Sequence, residues 1–183
     1  MPSNMFEGRI VRLRGVEPED WAVFHRWDAD SEAQRAGWRV FPPQGPEAAQ
    51  AWARAESAKR PEGDEFRLVI ETLDGVPVGM VNTHNADAVN RHFAYGIAIA
   101  RDYWGLGYAE EALRLLFGYM FGERGYHKVN AWIYASNERS LRMHEKLGMV
   151  REGRLRENHF ADGRFEDEIW MGMTAEEFFS GRG

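Results

Sequence analysis

The apolar positions of this chain follow alternating strand and helix periods, and Pro, Gly or acidic residues mark most changes of period. A short alternating run, Arg9 to Arg14, predicts an opening strand. In the stretch "EPEDWAVFHRWDAD", Trp21, Phe24 and Trp27 fall at helical spacing behind a proline and acidic residues, which predicts a first helix. The proline-rich loop "GWRVFPPQGP" then leads to a second predicted helix, from Pro46 to about Lys59.

The middle of the chain changes to strand patterns. Two apolar-rich runs in "EFRLVIETLDGVPVGMVNTH" surround Asp74-Gly75, a hairpin turn signal, and a third strand is predicted from His92 to Ala100. A helix from Tyr108 to about Arg124 follows, and "KVNAWIY" predicts a strand parallel to the one before that helix. These patterns predict an antiparallel meander that continues into a crossover unit.

The remainder of the chain predicts one more helix, a hairpin and a terminal turn of helix. The stretch "SNERSLRMHEKLGM" is typical of a helix that begins at Ser136 or Asn137 and is closed by Gly148. Two final strands surround Asp162-Gly163, and Thr174 to Glu177 has the form of a capping box. The predicted fold class is therefore α/β (α+β), with a mixed sheet and helices on its faces.

Composition supports one packed domain over residues 1–183, because 44% of the residues are hydrophobic and 13% are aromatic. The absence of cysteine excludes disulfides, thiolate zinc sites and a cysteine nucleophile, and no metal site is predicted. A formal charge of -6 has the wrong sign for following a nucleic-acid backbone, so no nucleic-acid partner is expected. No segment resembles a signal peptide or a membrane span, which predicts a cytoplasmic location without membrane contact.

Two glycines separate the last strand of the meander from the long helix. Gly105 and Gly107 precede a helix whose apolar face consists of Ala109, Ala112, Leu113, Leu116, Phe117 and Met120. A helix N-terminus offers unpaired backbone N–H groups and a positive dipole end, and missing side chains let a ligand approach that backbone. The turn therefore predicts a phosphate or pyrophosphate site. The alternative is that both glycines only permit close packing of the helix against the sheet.

The segment "YWGLGYAEEAL", followed later by "NERSLRMHEKLGM", resembles the acetyl-CoA site of the GNAT N-acetyltransferase superfamily. The resemblance is greatest to the branch of ribosomal-protein N-terminal and polyamine acetyltransferases, and in element order it covers nearly the whole chain. It implies a GNAT fold with a central mixed, mostly antiparallel, splayed sheet of about seven strands flanked by helices.

The resemblance also implies acetyl-CoA as the co-substrate. Backbone groups of Ile97, Ala98 and Ile99 would bind the pantetheine arm and the acetyl carbonyl, and Asn137 would hydrogen-bond that arm besides capping its helix. The pyrophosphate would be wrapped by the glycine turn, which comprises Trp104, Gly105, Leu106, Gly107, Tyr108 and Ala109. Trp104 departs from the Gln or Arg that relatives often carry, so a side-chain contact is lost or replaced by packing.

Ser140 and His144 are the candidate catalytic residues. The spacing of Asn137, Ser140, Leu141 and His144 predicts one shared helix face. Many relatives have a tyrosine at the position of His144, where it acts as general acid for the departing thiolate, and an imidazole with a pKa of about 6.5 can donate similarly. The alternative for His144 is a half-buried structural position, and for Ser140 it is packing as a small residue. Lys146 is interpreted as a solvated charge.

The sequence does not assign the base that deprotonates the amine. Some relatives carry a glutamate where this chain has Ala94, and His84 and His159 are candidates that are also interpretable as surface or supporting residues. The Glu111 carboxylate is interpreted as interacting favourably with the helix dipole at the start of the helix. Three acidic residues of the final hairpin could attract an ammonium group, although strand alternation prevents all from facing one cleft: Glu166, Asp167 and Glu168. A water chain is the remaining alternative.

These features predict an N-acetyltransferase that transfers acetyl from acetyl-CoA to the primary amine of a small molecule or a peptide N-terminus. The transfer would occur by direct attack in a ternary complex. One alternative is a catalytically silent acyl-CoA-binding regulatory domain, because the tyrosine and glutamate equivalents are missing. Another is a structural partner protein whose interface is formed by Trp21, Trp27, Trp38 and Trp52. A homodimer is compatible with the resemblance.

Overall fold

The computed structural model describes residues 4–60 and 63–181. The strands are β1 (Val11–Arg14), β2 (Arg67–Thr72), β3 (Pro77–Asp87), β4 (His92–Ile99), β5 (Lys128–Tyr134), β6 (Val150–Ala161) and β7 (Arg164–Thr174). The helices are α1 (Trp21–Trp27), α2 (Ser31–Gly37), α3 (Pro46–Ser57), α4 (Tyr108–Gly122), α5 (Glu138–Leu147) and α6 (Ala175–Ser180). Short 3-10 helices cover Pro18–Asp20 and Arg101–Tyr103. The ends of the predicted domain, residues 1–3 and 182–183, and residues 61–62 lie outside the described residues.

The strands form one sheet of seven in the order β1-β2-β3-β4-β5-β7-β6. Among the strands of the described residues, only the β4–β5 pair is parallel, because α4 connects these two strands as a crossover, and every other pair is antiparallel. The expectation of a mixed, mostly antiparallel sheet is confirmed.

The sheet opens between β4 and β5. These strands pair only at His92–Lys128, Phe93–Val129 and Ala94–Asn130. Beyond that point β4 continues along β3 as far as Ile99, whereas β5 continues along β7 as far as Tyr134. The two strands therefore diverge, and the predicted splay is confirmed.

Helix α4 covers one face of the sheet, where its side chains Leu113, Leu116, Phe117 and Met120 are fully buried. Phe93 of β4 packs edge-on against Phe117 at 6.2 Å between ring centroids. Burial of this apolar stripe explains why the segment forms a helix in this position. On the opposite face, Phe24 of α1 forms a second buried cluster with Val16 and Val69, and Trp52 of α3 packs against it.

Helix α2 was not predicted, since its sequence "SEAQRAG" has no apolar period, and of its residues only Gly37 falls in a predicted element, the proline-rich loop. Its start is fixed by polar contacts: the Asp30 carboxylate accepts hydrogen bonds from the backbone N–H groups of Glu32 and Ala33 at 3.1 and 3.0 Å. The predicted first helix is also shorter than its pattern, because Pro18–Asp20 forms a 3-10 turn before α1.

The predicted caps of the later helices are confirmed. Asn137 caps α5 by accepting from Ser140 N–H at 3.1 Å, and Gly148 closes that helix with a left-handed φ of 99°. Thr174 and Glu177 form the capping box of α6. Among residues 4–60 and 63–181, none of the helices combines the length and the apolar character that crossing a membrane would need.

Candidate active site

A cavity of about 470 Å³ lies at the open end of β4. Its walls come from the end of β4, the glycine turn, the first turn of α4, one side of α5, and residues of α1 and α2. Most residues of the predicted site line it, namely Ile97, Ala98, Ile99, Trp104, Gly105, Gly107, Tyr108, Ala109, Asn137 and Ser140. Leu106 and His144 are not among the lining residues. The fold therefore brings the two sequence motifs together around one space.

The glycine turn has the conformation that its sequence predicts. Gly105 and Gly107 have φ angles of 80° and 84°, in the left-handed region that glycine adopts without strain. Among the described residues other than its two chain neighbours, none has an atom within 4 Å of a Cβ built on Gly105, so the space beside this backbone is open. Gly107 is the N-cap of α4, and the first N–H groups of a helix have no intrahelical acceptor. The turn thus fits a pyrophosphate in both space and polarity.

The end of β4 presents backbone groups to the cavity. Ala100 N–H bonds to the Val78 carbonyl of β3, and alternate residues of an antiparallel strand point to opposite edges. The backbone groups of Ile97 and Ile99 therefore point away from β3, toward the gap where β5 has diverged. Such groups suit the amides of an extended arm and the oxygen of a thioester.

Trp104 replaces the expected polar side chain with packing and one hydrogen bond. Its indole Nε1 donates to the Ile99 carbonyl at 2.6 Å. The Arg139 guanidinium of α5 lies 3.4 Å from the centre of its ring, and burial lowers the pKa of Arg139 from its ordinary value. The tryptophan therefore ties the turn to both β4 and α5.

Helix α5 turns a basic side toward the cavity. Arg139, Arg142, Met143 and Lys146 line it at spacings of three and four residues. The Lys146 ammonium lies 2.8 Å from Glu110 on α4, although its side chain is 72% exposed. Sequence analysis interpreted Lys146 as solvated only and did not single out Arg139 or Arg142. Their position follows from the side of the helix that faces α4.

Asn137 joins α5 to α2 as well as capping α5. Its side-chain Nδ2 donates to the Ala36 carbonyl at 3.1 Å. Arg101 holds the other end of α2, since its guanidinium donates to Asp30 at 2.6 Å and to Glu32 at 2.6 Å. These bonds hold the pKa of Asp30 well below its usual range. Helix α2 is therefore fixed over the cavity by polar contacts.

Ser140 and His144 do not share one environment. Ser140 lines the cavity, whereas His144 lies on the buried side of α5 with Leu141 and Leu147 and is only 3% exposed. Its ring stacks on Tyr95 at 5.9 Å between centroids, and its Nδ1 lies 2.7 Å from the Ser140 carbonyl oxygen and 3.3 Å from Ser140 Oγ. Burial lowers the pKa of His144, although the bond to the carbonyl acts in the opposite direction.

Glu111 is an anchor of the fold rather than a free side chain. Its carboxylate accepts the backbone N–H groups of Arg9, Ile10 and Val11 at 2.9, 2.7 and 2.9 Å. A Cβ on Gly8 would come within 2.6 Å of the Glu111 carboxyl carbon, so a larger residue there would displace the carboxylate from this position. The contact fixes the start of α4, and with it the glycine turn, to the start of β1.

A second cavity, of about 370 Å³, adjoins the first. Trp104, Asn137 and Arg139 line both cavities. The second is more polar, and its acidic lining residues are Glu32, Glu138, Asp162 and Glu166. Tyr134 also lines it, and burial together with the Glu168 and Glu166 carboxylates raises the pKa of this phenol to about 12.

The final hairpin places its acidic residues on two faces, as strand alternation predicts. Glu166 accepts the Ser136 N–H at 3.0 Å, and Glu168 accepts the Trp170 indole N–H at 2.8 Å. Asp167 instead pairs with Arg154 and accepts the Glu157 N–H at 2.9 Å.

The two candidate histidines both stack on aromatic residues of β5. His159 lies flat on Tyr134 at 3.6 Å between ring centroids, with its Nε2 buried and without a hydrogen-bond partner. His84 stacks on Trp132 at 5.4 Å. Ala94 lies opposite His84 in the β3–β4 register.

The four tryptophans that could have formed an interface are placed differently from one another. Trp27 and Trp52 pack against Phe24 at 5.4 and 5.7 Å between ring centroids. Trp21 is half-buried, and Trp38 is 58% exposed. They do not form one exposed surface.

An open sheet with a glycine-lined helix N-terminus at its gap is the arrangement that the resemblance to acetyl-CoA-dependent acetyltransferases implies. Comparison with known proteins gives the family: the acetyltransferase (GNAT) domain matches residues 11–150, and the chain belongs to this family. It is 35% identical over 178 residues to the SPbeta prophage-derived uncharacterized N-acetyltransferase YokL of Bacillus subtilis, with 97% of each chain covered. It is 31% identical to the putative ribosomal N-acetyltransferase YdaF of the same organism, covering 92% of this chain and 93% of YdaF.

A solved structure supports the fold. The spermidine N-acetyltransferase of Vibrio cholerae, in complex with CoA and spermine, superimposes with a TM-score of 0.80 at 20% identity, covering 92% of this chain and 98% of that one. The predicted GNAT fold is confirmed. The protein is an N-acetyltransferase that uses acetyl-CoA, and the alternatives of a silent binding domain or a structural partner are not favoured.

Proposed function

We propose that the cavity at the open end of β4 holds acetyl-CoA and that the predicted site residues contact it. The observation that carries this proposal is the position of the left-handed Gly105 and Gly107 beside the end of β4, where Ile97 and Ile99 lie beyond the last pair with β5. The turn would bind the pyrophosphate through the N–H groups of residues 105–109, Leu106 included. The β4 backbone would bind the pantetheine arm and polarise the thioester carbonyl.

The basic side of α5 supplies charge for the same ligand. Arg139, Arg142 and Lys146 lie along the cavity, and phosphate groups are commonly bound by such cations together with a helix N-terminus. Asn137 caps α5 and faces the cavity, where its amide can meet the pantetheine arm.

Ser140 and His144 are proposed to act on the departing thiolate as a pair. The 2.7 Å contact from His144 Nδ1 to the Ser140 carbonyl oxygen requires a proton on Nδ1, because a carbonyl only accepts. The Ser140 hydroxyl is then free to donate into the cavity that it lines. Ser140 would therefore contact the sulfur, and His144 would position Ser140.

The acceptor is proposed to be a primary amine of a small molecule or a peptide N-terminus, which attacks the thioester directly. Attack needs an amine that has lost its proton, and expulsion of the thiolate needs a proton donor. Four carboxylates, Asp162 and Glu166 among them, line the second cavity against three arginines, so its small negative balance weakly favours an ammonium group at neutral pH. The names of YdaF and of the Vibrio cholerae enzyme point to amines of these two kinds.

The domain organisation and location are proposed as the sequence predicts them. One buried core joins Val11 of β1 to Phe178 of α6, which supports a single domain. A cytoplasmic location and a homodimer are retained as proposals, to be tested by cell fractionation and by light scattering of the purified protein.

The site is tested with acetyl-CoA binding measured by titration calorimetry. Gly105→Asp places a carboxylate where the pyrophosphate is expected, and we expect binding to fall below detection. Gly75→Asp is the matched control, because Gly75 has a φ of 83° and open space around it in the β2–β3 turn. Equal binding by both variants would contradict the proposed site.

The reaction is tested by a thiol-release screen with polyamines, peptides with free N-termini, aminoglycosides and amino-acid-like amines. Mass spectrometry should find an acetylated product in at least one class. Cofactor binding without CoA release across the panel would contradict the proposed acceptor classes.

A further inference from the structure

We propose that His84 accepts the proton that the acceptor ammonium must lose, on the face of the sheet opposite α4. The inference rests on the proposed function, and it assigns the base that sequence analysis left open. It is carried by the position of one imidazole at the point where β4 and β5 separate.

Four residues from three neighbouring strands share this face. Ala94 of β4 is paired with His84 of β3 and, on its other side, with Asn130 of β5. Directly paired residues point to the same face, and so does Trp132, which lies two positions after Asn130. Phe93 and Tyr95, the neighbours of Ala94, are buried against α4 on the other face.

The His84 ring crosses over β4 to reach β5. Strands β3 and β5 are separated by β4, so their backbones lie about 10 Å apart. The rings of His84 and Trp132 nevertheless stack at 5.4 Å between centroids, with 16° between their planes. This contact is possible because the intervening β4 positions on this face are Ala94 and Gly96, which fill little space. The small side chain of Ala94 therefore leaves the space that the His84 ring occupies.

The stack lies where the reacting atoms are expected. Ala94 is the last residue of β4 that pairs with β5, and Trp132 is beyond that last pair. With the pyrophosphate at the glycine turn and the arm along Ile99 and Ile97, the acyl end points back toward this apex. An amine that approaches from the face opposite α4 would meet the thioester beside His84.

The surroundings of His84 suit an ammonium group and a neutral imidazole. Trp170 packs edge-on against Trp132 at 5.6 Å between ring centroids, and the Glu168 carboxylate accepts the Trp170 indole N–H at 2.8 Å. Aromatic rings and a carboxylate therefore border the path by which the acceptor amine would reach His84. Burial lowers the pKa of His84, while the Tyr95 backbone and the Glu65 carboxylate raise it less. The lowered pKa favours the neutral imidazole, which is the form that can accept a proton.

The proton balance of the step is complete. The ammonium gives one proton to His84, and the free amine then forms the C–N bond with the thioester carbonyl carbon. Collapse of the adduct breaks the C–S bond, the amide nitrogen loses a second proton, and the CoA thiolate gains one. His84 releases its proton to solvent, so one amide, one thiol and one proton are formed.

The test is the pH dependence of acetylation by His84→Phe, which keeps a ring against Trp132 but accepts no proton. With an alkyl amine of ordinary pKa, we expect kcat/KM at pH 7.5 to fall about 100-fold or more. The wild-type rise in kcat/KM below about pH 6.5 should be replaced in the variant by a rise that continues toward the amine pKa of about 10. For an amine that is already neutral at pH 7.5, kcat/KM should fall much less in His84→Phe. Acetyl-CoA affinity should be unchanged.

The controls separate this inference from the proposed function. His92→Phe changes a partly exposed histidine at the start of β4 and should leave the rate unaltered. If His84→Phe fails to fold, His84→Ala with Ala94→Glu supplies a carboxylate from the paired position and should recover activity that His84→Ala alone lacks. An active wild type with an unaltered rate and pH profile in His84→Phe would overturn the inference alone. A wild type that acetylates no amine would contradict the proposed function and the inference together.

Discussion

The indole nitrogen of Trp104 donates a 2.6 Å hydrogen bond to the carbonyl oxygen of Ile99, so the glycine turn closes back on the last residue of β4. The carbonyl points into the gap between β4 and β5, and the other side of the indole carries Arg139 of α5. The proposed cofactor cavity therefore depends on a residue that joins the strand, the turn and α5.

Removing the Trp104 contacts in two steps should weaken acetyl-CoA binding in two steps. Trp104→Phe loses the hydrogen bond to Ile99 but keeps a ring for Arg139, and we expect a loss of about 1 kcal/mol, or roughly fivefold in Kd. Trp104→Leu also loses the cation–π contact and should cost about 0.5–1 kcal/mol more. Titration calorimetry measures both values. Identical Kd values for the wild type and both variants would show that Trp104 does not support the cavity.

Glu111 should matter for stability far more than its neighbour Glu110. Glu111→Ala leaves the backbone N–H groups of Arg9, Ile10 and Val11 without their acceptor, and we expect unfolding to become easier by about 2–3 kcal/mol. Glu110→Ala removes partly exposed ion pairs with Lys146 and Arg114 and should cost less than about 1 kcal/mol. Urea unfolding of both variants measures the two changes in the free energy of unfolding. Similar losses would contradict the anchoring role of Glu111.

Substitutions of Ser140 and His144 should lower kcat to different extents. Ser140→Ala removes the hydroxyl that faces the cavity, and we expect kcat to fall about tenfold while acetyl-CoA affinity changes little. His144→Phe keeps a ring against Tyr95 and should lower kcat less than Ser140→Ala does, because His144 acts through Ser140. An unchanged maximal rate in His144→Phe with cofactor affinity intact would remove His144 from the mechanism.

Burial of His144 should also make stability depend on pH. Its pKa is lowered in the folded protein, so below the ordinary histidine pKa of about 6.5 the unfolded chain binds a proton that the folded chain does not. Stability is therefore full above that pH and decreases as the pH falls toward the lowered folded pKa, by at most about 1.4 kcal/mol per pH unit. Unfolding measured at pH 7.5 and 5.5 should show a smaller decrease in His144→Phe than in the wild type or in His92→Phe. An equal loss of stability between pH 7.5 and 5.5 in all three proteins would contradict a role of His144 in the pH dependence.

Much of the site could be predicted because it is local in the sequence. The conformation of Gly105 and Gly107, the cap at Asn137 and the closure at Gly148 depend on a few consecutive residues, and their sequence signals were sufficient. Helix α2 was missed, although Asp30 gives a local N-cap signal for its start. Its residues have no apolar period, and it is fixed by Arg101 of a distant segment and by the Asn137 amide.

The sequence by itself determined the order of the strands and of every helix except α2, the conformation of the glycine turn and the family, because these follow from periodicity and short motifs. Only the tertiary structure decided which side chains meet. Its packing put the His144 side of α5 in the core and the Arg139 side on the cavity, and its register carried His84 over Ala94 to Trp132. Helix orientation and strand register are set by burial and pairing between segments far apart in the chain, so no local pattern contains them.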